Sequence, residues 1–256
     1  QLALYRQQGK RLHIVFGMVD DKDVEVVMNL LPKDAAYYFT QAATHRAIPA
    51  ERMRQLWLQH GGEAASSMVF PSVETAVRAA QAHAAATDII FIGEIRDGET
   101  AQIAVRSSIT GHLVLSTLHT NDAAGAVSRL IEMGVEGFLI SSALLAVASQ
   151  RLVRRICQEC HGTGRIDAPD TEDGKRRCRH CMGSGYRGRI AIFELMVIND
   201  ELRAAINQHK DTSEINAIAR RNGMRSLKED GDLKVQMGLT TSSEVTRVCK
   251  LDLGDI

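Results

Sequence analysis

The run Ile89-Ile-Phe-Ile92, set between Asp88 and Gly93, limits the fold of this chain more than any other segment. It is too short for a helix and has no polar position at which one face could meet water. It therefore reads as a strand covered on both sides, the condition of a strand inside a parallel sheet. Parallel neighbours need long connections, and the preceding residues provide them. Residues 12–18 form a β-branched and aromatic run, residues 21–31 have helical spacing (Val24, Val27, Met28, Leu31), and residues 35–40, with Tyr37, Tyr38 and Phe39, predict a second strand. Pro49 opens a helix with Met53, Leu56 and Trp57 on one face, and Gly61-Gly62 stops it. Residues 67–70 predict a short strand, and Ser72 with Glu74 starts a helix reaching about residue 86. The order β-α-β-α-β-α-β predicts a parallel sheet with right-handed crossovers.

The pattern continues with a helix at 101–109, a strand at 112–118, two helices split near 134–137, and a strand at 151–156. Beyond a cysteine-rich stretch, residues 190–195 predict a strand, and helices are expected near 200–208, 212–222 and 226–237, with a last one starting at the caps Ser242 and Ser243 before Glu244. No repeat of solenoid length occurs.

Cys157-x-x-Cys160 and Cys178-x-x-Cys181 are separated by the seventeen residues 161–177, the spacing of a two-knuckle tetrahedral zinc site. Each pair continues as C-x-x-C-x-G-x-G, through Gly162 and Gly164 and through Gly183 and Gly185, so each knuckle can turn backbone N–H groups toward thiolates. Four thiolates close the site, which makes it structural rather than catalytic. Residues 157–161 also spell a haem-attachment pentapeptide, but that reading leaves Cys178 and Cys181 without a role. Co-chaperone zinc knuckles share the repeat text but use four copies, and this chain has two. The fifth thiol, Cys249, reads as a small hydrophobe.

Lys and Arg number 31 against 31 Asp and Glu, so no bulk basic footprint points to nucleic acid, and no specific nucleic-acid partner is expected. Arg151, Arg154, Arg155, Arg176, Arg177, Arg179, Arg187 and Arg189 surround the cysteines without interleaved aromatics, which favours a solvated or subunit-interface surface. The longest apolar tract, 138–148, is too short for a bilayer and contains Ser141 and Ser142. A soluble protein of a reducing compartment, the cytoplasm, is expected.

Residues 88–97 (DIIFIGEIRD), 99–104 (ETAQIA) and 110–122 (TGHLVLSTLHTND), with 150–154, the two cysteine pairs, 185–189 and Glu194-Leu195, carry a resemblance. Over residues 88–256 the chain resembles the secretion and pilus-assembly ATPases, the RecA-like motors of type II secretion and type IV pili. The first stretch is similar to their Walker B motif and the third to their histidine box. Residues 1–87 instead resemble the C-terminal lobe of folylpolyglutamate and dihydrofolate synthases, of Mur-ligase type. The carrying text is 13–23, 31–35, 37–40, 46–50 and Phe70-Pro-Ser-Val73. The two resemblances meet on the strand at 88–92. They imply an α/β fold, a parallel Rossmann- or RecA-like sheet with helices on both faces, plus a zinc knuckle and a small C-terminal helical subdomain. The implied domains are a Mur-ligase-like piece (1–93), the second half of a RecA-like core (88–156), the tetracysteine region (157–189) and the helical subdomain (190–256).

Glu94 stands at the carboxyl end of a buried strand, where ligands bind in open parallel sheets. An acid there can polarise water for attack on a γ-phosphate, or it can sit at a helix N-terminus for the macrodipole; the resemblance favours the catalytic role. Arg96 and Asp97 either bind nucleotide or form a local ion pair. His112 and His119 flank one strand about 23 Å apart and cannot share a metal. The resemblance assigns His119 to the nucleotide site, and His112 is expected to be structural. A motor also needs G-x-x-x-x-G-K-[ST] to cradle phosphates, and this chain has none: Gly9-Lys10 and Gly174-Lys175 lack the first glycine and the hydroxyl. The leading expectation is the C-terminal portion of a motor ATPase, inactive alone, zinc-bound, with ATP and Mg belonging to the parent family. Its expected partners are other copies, a hexamer in that family, and inner-membrane secretion or pilus platform proteins, with a cytoplasmic location peripheral at that membrane. A non-catalytic interaction module and a folate-pathway ligase fragment are the alternatives.

Overall fold

The structure is a computed structural model that describes residues 10–20, 23–41, 44–169 and 174–250. The chain folds as two compact units. The first takes the described residues up to His119, with Ala126–Leu144 and Arg203–Lys210; the second takes Thr120–Gly125, Leu145–Leu202 and the described residues from Asp211.

The first unit is built on a five-stranded parallel sheet in the order β3-β2-β1-β4-β5, from β1 (Leu12–Phe16), β2 (Ala36–Phe39), β3 (Ser67–Val69), β4 (Ile89–Ile92) and β5 (Leu113–Ser116). The apolar strand β4 lies inside the sheet, as its composition requires. It pairs with β1 (Val15 beside Ile92) and with β5 (Ile92 beside Ser116). The helices are α1 (Val24–Leu30), α2 (Ala50–Gln59), α3 (Val73–His83), α4 (Gly98–Ile109), α5 (Gly125–Glu132) and α6 (Gly137–Ala143). Side-chain caps set their starts: Asp23 accepts from Val26 N–H, Ser72 and Thr75 form a capping box, and Asp97 accepts from Thr100 N–H. Asp21 and Lys22, expected at the start of the first helix, lie outside the described residues. The third helix ends at His83 instead of about 86, because Ala84 is already extended. One core forms between the sheet and α1 and α2, where Met28, Tyr37, Phe39, Met53 and Trp57 are fully buried and the Tyr37 and Trp57 rings lie 4.2 Å apart.

The second unit rests on a long antiparallel ribbon of β6 (Ala146–Ile156) and β9 (Tyr186–Val197), both longer than the sequence pattern predicts. The apolar tract 138–148 is accordingly split, its first part in α6 and its end in β6. Between the ribbon strands, β7 (Arg165–Asp167) and β8 (Lys175–Arg177) make a small hairpin that hydropathy does not announce. The helices α7 (Asp200–Asn207), whose residues from Arg203 onward belong to the first unit, α8 (Thr212–Arg221), α9 (Leu227–Gln236) and α10 (Ser242–Lys250) fall where expected. They do not make a free-standing bundle: α9 and α10 lie on the ribbon, and Leu227 and Val248 join Val153 and Ile192 in one apolar cluster. The cap of α10 is Thr241, whose Oγ1 accepts from Glu244 N–H, and not Ser242 or Ser243.

Candidate functional site

Parallel strands place their carboxyl ends at one rim, and here β4 and β5 deliver Glu94 and His119 to it. Thr117 ties the two strand ends together: its Oγ1 donates to Gly93 O (2.8 Å) and its carbonyl accepts from Ile95 N–H (3.0 Å). His119 Nε2 then comes to 2.6 Å from Glu94 Oε1, off the N–H direction, so that this oxygen accepts no hydrogen bond. The other oxygen, Oε2, accepts from Arg96 Nε at 2.7 Å. Glu94 is mostly enclosed, at 22% side-chain exposure, whereas His119 is open to solvent at 83%. A carboxylate held between a cation and an imidazole can orient a water or a metal-bound phosphate, and the exposed ring is free to meet a ligand.

The helix-start alternative for Glu94 is not met, because α4 begins at Gly98 and Asp97 caps it. Both Asp97 oxygens are engaged by Thr100, at 2.8 Å to N and 3.1 Å to Oγ1, and Arg96 forms the local ion pair with Glu94. His112 sits at the other end of β5, buried, with Nδ1 3.1 Å from Ser107 O and 3.3 Å from Thr110 Oγ1. It serves the turn between α4 and β5.

In the second unit the end of the histidine box and the residue after it are anchored on the ribbon. Glu194, nearly buried, accepts from Ala123 N–H at 2.8 Å, and Asn121 O accepts from Ser149 Oγ (3.5 Å) and Arg151 Nη2 (3.2 Å). Sequence patterning assigns Glu194 no role. Its signal is an acid placed among Ile192, Phe193 and Leu195, at an inward-facing register position.

All four cysteine sulfurs lie within 4.8 Å of one another, with Cys157 and Cys178 3.9 Å apart and Cys160 and Cys181 3.7 Å apart. A tetrahedron of thiolates at about 2.3 Å from an ion has edges of about 3.8 Å, so the donor set fits one metal ion. The knuckles interlock symmetrically: Gly164 N–H points to Cys160 Sγ and Gly185 N–H to Cys181 Sγ, each at 3.3 Å. A methyl group on Gly164 would overlap the Gly183 carbonyl, and one on Gly185 the Gly162 carbonyl. Both residues have positive φ, which explains the repeated glycines. Burial disfavours the Cys181 thiolate, yet the Gly185 N–H and the thiols of Cys178 and Cys160 bring its pKa down to about 6. The surrounding arginines are partly structural: Arg154 pairs with the buried Glu244 and lies over Tyr186, and Arg177 and Arg187 donate to the carbonyls of Met182 and His180.

The family described as Type II/IV secretion system protein matches residues 70–247. A second family, Mur ligase, glutamate ligase domain, matches residues 2–93, so the two overlap over 70–93, more widely than the single strand on which the sequence resemblances meet. The type IV pilus assembly ATPase PilB of Thermus thermophilus is 51% identical over 176 residues, covering 62% of this chain and 19% of that protein. The type II secretion system protein HxcR of Pseudomonas aeruginosa is 52% identical over 166 residues, 64% of this chain and 34% of the relative. This chain thus spans between a fifth and about a third of the length of these relatives. Among solved structures, the pilus retraction motor PilT with bound ADP superposes with a TM-score of 0.51 over 93% of this chain and 61% of that one, at 20% identity, a likeness of fold.

Proposed function

Since the chain belongs to the Type II/IV secretion system protein family, we propose that its residues from 70 onward act as the Walker B and histidine-box portion of an ATP-driven secretion or pilus motor. The observation that carries this reading is the Glu94–His119 pair at the carboxyl rim of β4 and β5, with Arg96 on the second carboxylate oxygen. In that role Glu94 polarises the attacking water, His119 meets the γ-phosphate, and Arg96 holds the Glu94 carboxyl group aimed. Asp97 contributes by starting α4. ATP with Mg is the substrate of the complete motor. The four cysteines hold zinc, which supplies a cross-link between β6 and β9 and takes no part in the reaction. A ring of six copies at the cytoplasmic face of the inner membrane, working with its platform proteins, completes the proposal. No helix among the described residues is long and apolar enough to cross a membrane, in keeping with attachment from one side.

The chain contains no phosphate loop, and we expect it neither to bind nor to hydrolyse ATP by itself. That absence also favours a second reading, a non-catalytic interaction module made by joining pieces of two nucleotide-binding families. Phosphate release by the chain and by its Glu94→Gln variant tests the first point: no difference is expected, and Glu94-dependent turnover would make the chain catalytic as it stands. A hybrid in which the residues before 70 are replaced by the upstream part of HxcR tests the second. ATP turnover that falls about 10²- to 10⁴-fold on Glu94→Gln supports the motor reading, and a hybrid equally active with and without Glu94 removes that residue from the mechanism.

A further inference from the structure

The tetracysteine region carries more positive charge than its ion pairs neutralise. Residues 151–189 hold ten Lys and Arg against five Asp and Glu, in a chain that is neutral as a whole. At the second knuckle this excess converges. Arg177 lies against Gly183, where a methyl group would overlap its side chain, and donates from Nε to Met182 O (2.8 Å). Arg187 donates from Nη1 to His180 O (2.9 Å), and Arg179 is an exposed residue of the knuckle turn itself. Arg165 stands directly opposite Arg177 in the hairpin register, a like-charge placement that costs the hairpin stability. Among the described residues no carboxylate pairs with Arg177, Arg179 or Arg187, and the one acid within the two knuckles, Glu159, faces His180 at 3.4 Å. The main-chain carbonyls thus fix two guanidiniums in place without neutralising them.

Beside these cations stands Met182, 72% exposed and at φ 51°. The matching position of the first knuckle holds His161 at φ 50°, so the turn does not call for an apolar side chain there. Fixed cations around a protruding thioether select among anionic partners. A nucleic-acid strand needs rings to stack on, and Tyr186, the single Phe, Trp or Tyr in 151–189, already has the Arg154 guanidinium over its face at 4.3 Å. An acidic protein surface would meet the arginines but press Met182 against charge. The boundary of an anionic bilayer offers phosphates to the arginines and hydrocarbon one side chain deeper. We propose that the second knuckle is a membrane-contact site, at which Arg177, Arg179 and Arg187 bind phosphates of anionic lipids and Met182 enters the headgroup region. The contact needs no nucleotide, so its failure would leave the motor reading as it stands.

Co-sedimentation of the full, zinc-loaded chain with extruded vesicles tests this. Phosphatidylcholine vesicles with about a third phosphatidylglycerol should carry the chain down, phosphatidylcholine alone should not, and about 0.5 M salt should release it. Arg179→Gln, at an exposed position of the turn, should weaken binding about fivefold. Met182→Asn, whose side chain tolerates the left-handed turn, should weaken it about tenfold. Arg225→Gln, at an equally exposed position between α8 and α9, should change nothing. Equal binding to both kinds of vesicle, a loss on Arg225→Gln as large as that on Arg179→Gln, full binding by Met182→Asn, or tighter capture by a single-stranded oligonucleotide or polyglutamate than by the anionic vesicles would each overturn the proposal.

Discussion

The sheet unit and the ribbon unit enclose their chain by opposite means. In the first, Met28, Tyr37, Tyr38, Phe39, Met53 and Trp57 are sealed between a parallel sheet and its helices, and apolar burial is the main source of stability. In the second, one apolar cluster is built on Val153, Ile192, Leu227 and Val248, residues such as Met196, Leu202 and Ile215 are also buried, and another cluster consists of the four cysteines with Ile166. There apolar burial is joined by thiols converging on one point and by carboxylates that accept edge N–H groups. A ribbon has one face for a core, whereas a strand inside a parallel sheet has two. The ribbon unit therefore needs cross-links that the sheet unit does not, and the two should fail under different insults.

Metal removal is the largest test of that contrast. Structural tetrathiolate zinc contributes on the order of 10 kcal/mol to the fold around it. Cys178→Ser, or a strong chelator, should unfold residues 157–186 and loosen the ribbon, while amides of β1 and β4 keep their protection from hydrogen exchange. Native mass spectrometry should show one metal in the parent chain and none in the variant. Loss of protection in β4 together with the ribbon would mean that the two units are not energetically separate.

Trp57→Ala makes the complementary lesion. The indole is fully buried against Tyr37 and under Lys33, whose Nζ lies 3.9 Å from the ring centroid. Removing it should cost the sheet unit about 3–5 kcal/mol, lowering its denaturation midpoint while metal content stays at one. An equal loss of metal retention would contradict the division.

Smaller again is Glu244→Gln. The carboxylate is 2% exposed and receives Arg247 Nη2 (2.9 Å), Arg154 Nη2 (2.6 Å) and Arg154 N–H (3.1 Å). These partners, Arg247 first, hold its pKa well below the usual carboxylate range. The amide keeps the shape and loses the charge, so a destabilisation of about 1–3 kcal/mol is expected, confined to β6 and α10 by hydrogen exchange. No change in the ribbon would assign the edge to packing and not to the carboxylate.

These residues also show what could be read before the structure. The tetracysteine cluster was legible because its four thiols announce themselves by spacing, and β4 because a run without a polar position has one physical solution. The ribbon was half hidden: Ala146, Ala148 and Ser149 are too small to declare a strand period, and Arg154 and Arg189 sit on a face that hydropathy scores as loop. Parallel strand direction sets Glu94 and His119 at one rim, but their 2.6 Å approach depends on Thr117, whose hydroxyl gives no signal in sequence. Glu244 and Asp230 looked like ordinary helix acids because their partners lie 90 and 37 residues away in the chain.

Acid should separate the units by the smallest margin, through a buried polar cluster that apolar patterning cannot foresee. His13 Nε2 lies 3.2 Å from Asp88 Oδ2, and its Nδ1 lies 2.9 Å from Tyr38 OH, which is 3.4 Å from His83 Nδ1. Burial lowers the His13 pKa below 6.5, against the opposing pull of Asp88 and with the help of Arg11 and His83. Burial works upward on Asp88, but the Arg11 and Ala85 N–H groups and His13 bring it below 3.8. Tyr38 is raised by burial to about 12 and stays neutral. Both shifted groups bind protons more weakly folded than unfolded, so their contribution is complete above pH 6.5 and is lost as pH falls, first through His13 and then, below 3.8, through Asp88. In the ribbon unit the lowered carboxylates Glu244 and Glu229 begin to act below 4.5. Between about pH 7 and about pH 5 the sheet unit should therefore lose stability at no more than about 1.4 kcal/mol per pH unit. Hydrogen exchange in β1 and β4 would read that slope, and His13→Gln should flatten it. A slope that survives the substitution would place the titrating group elsewhere and leave the buried cluster as packing alone.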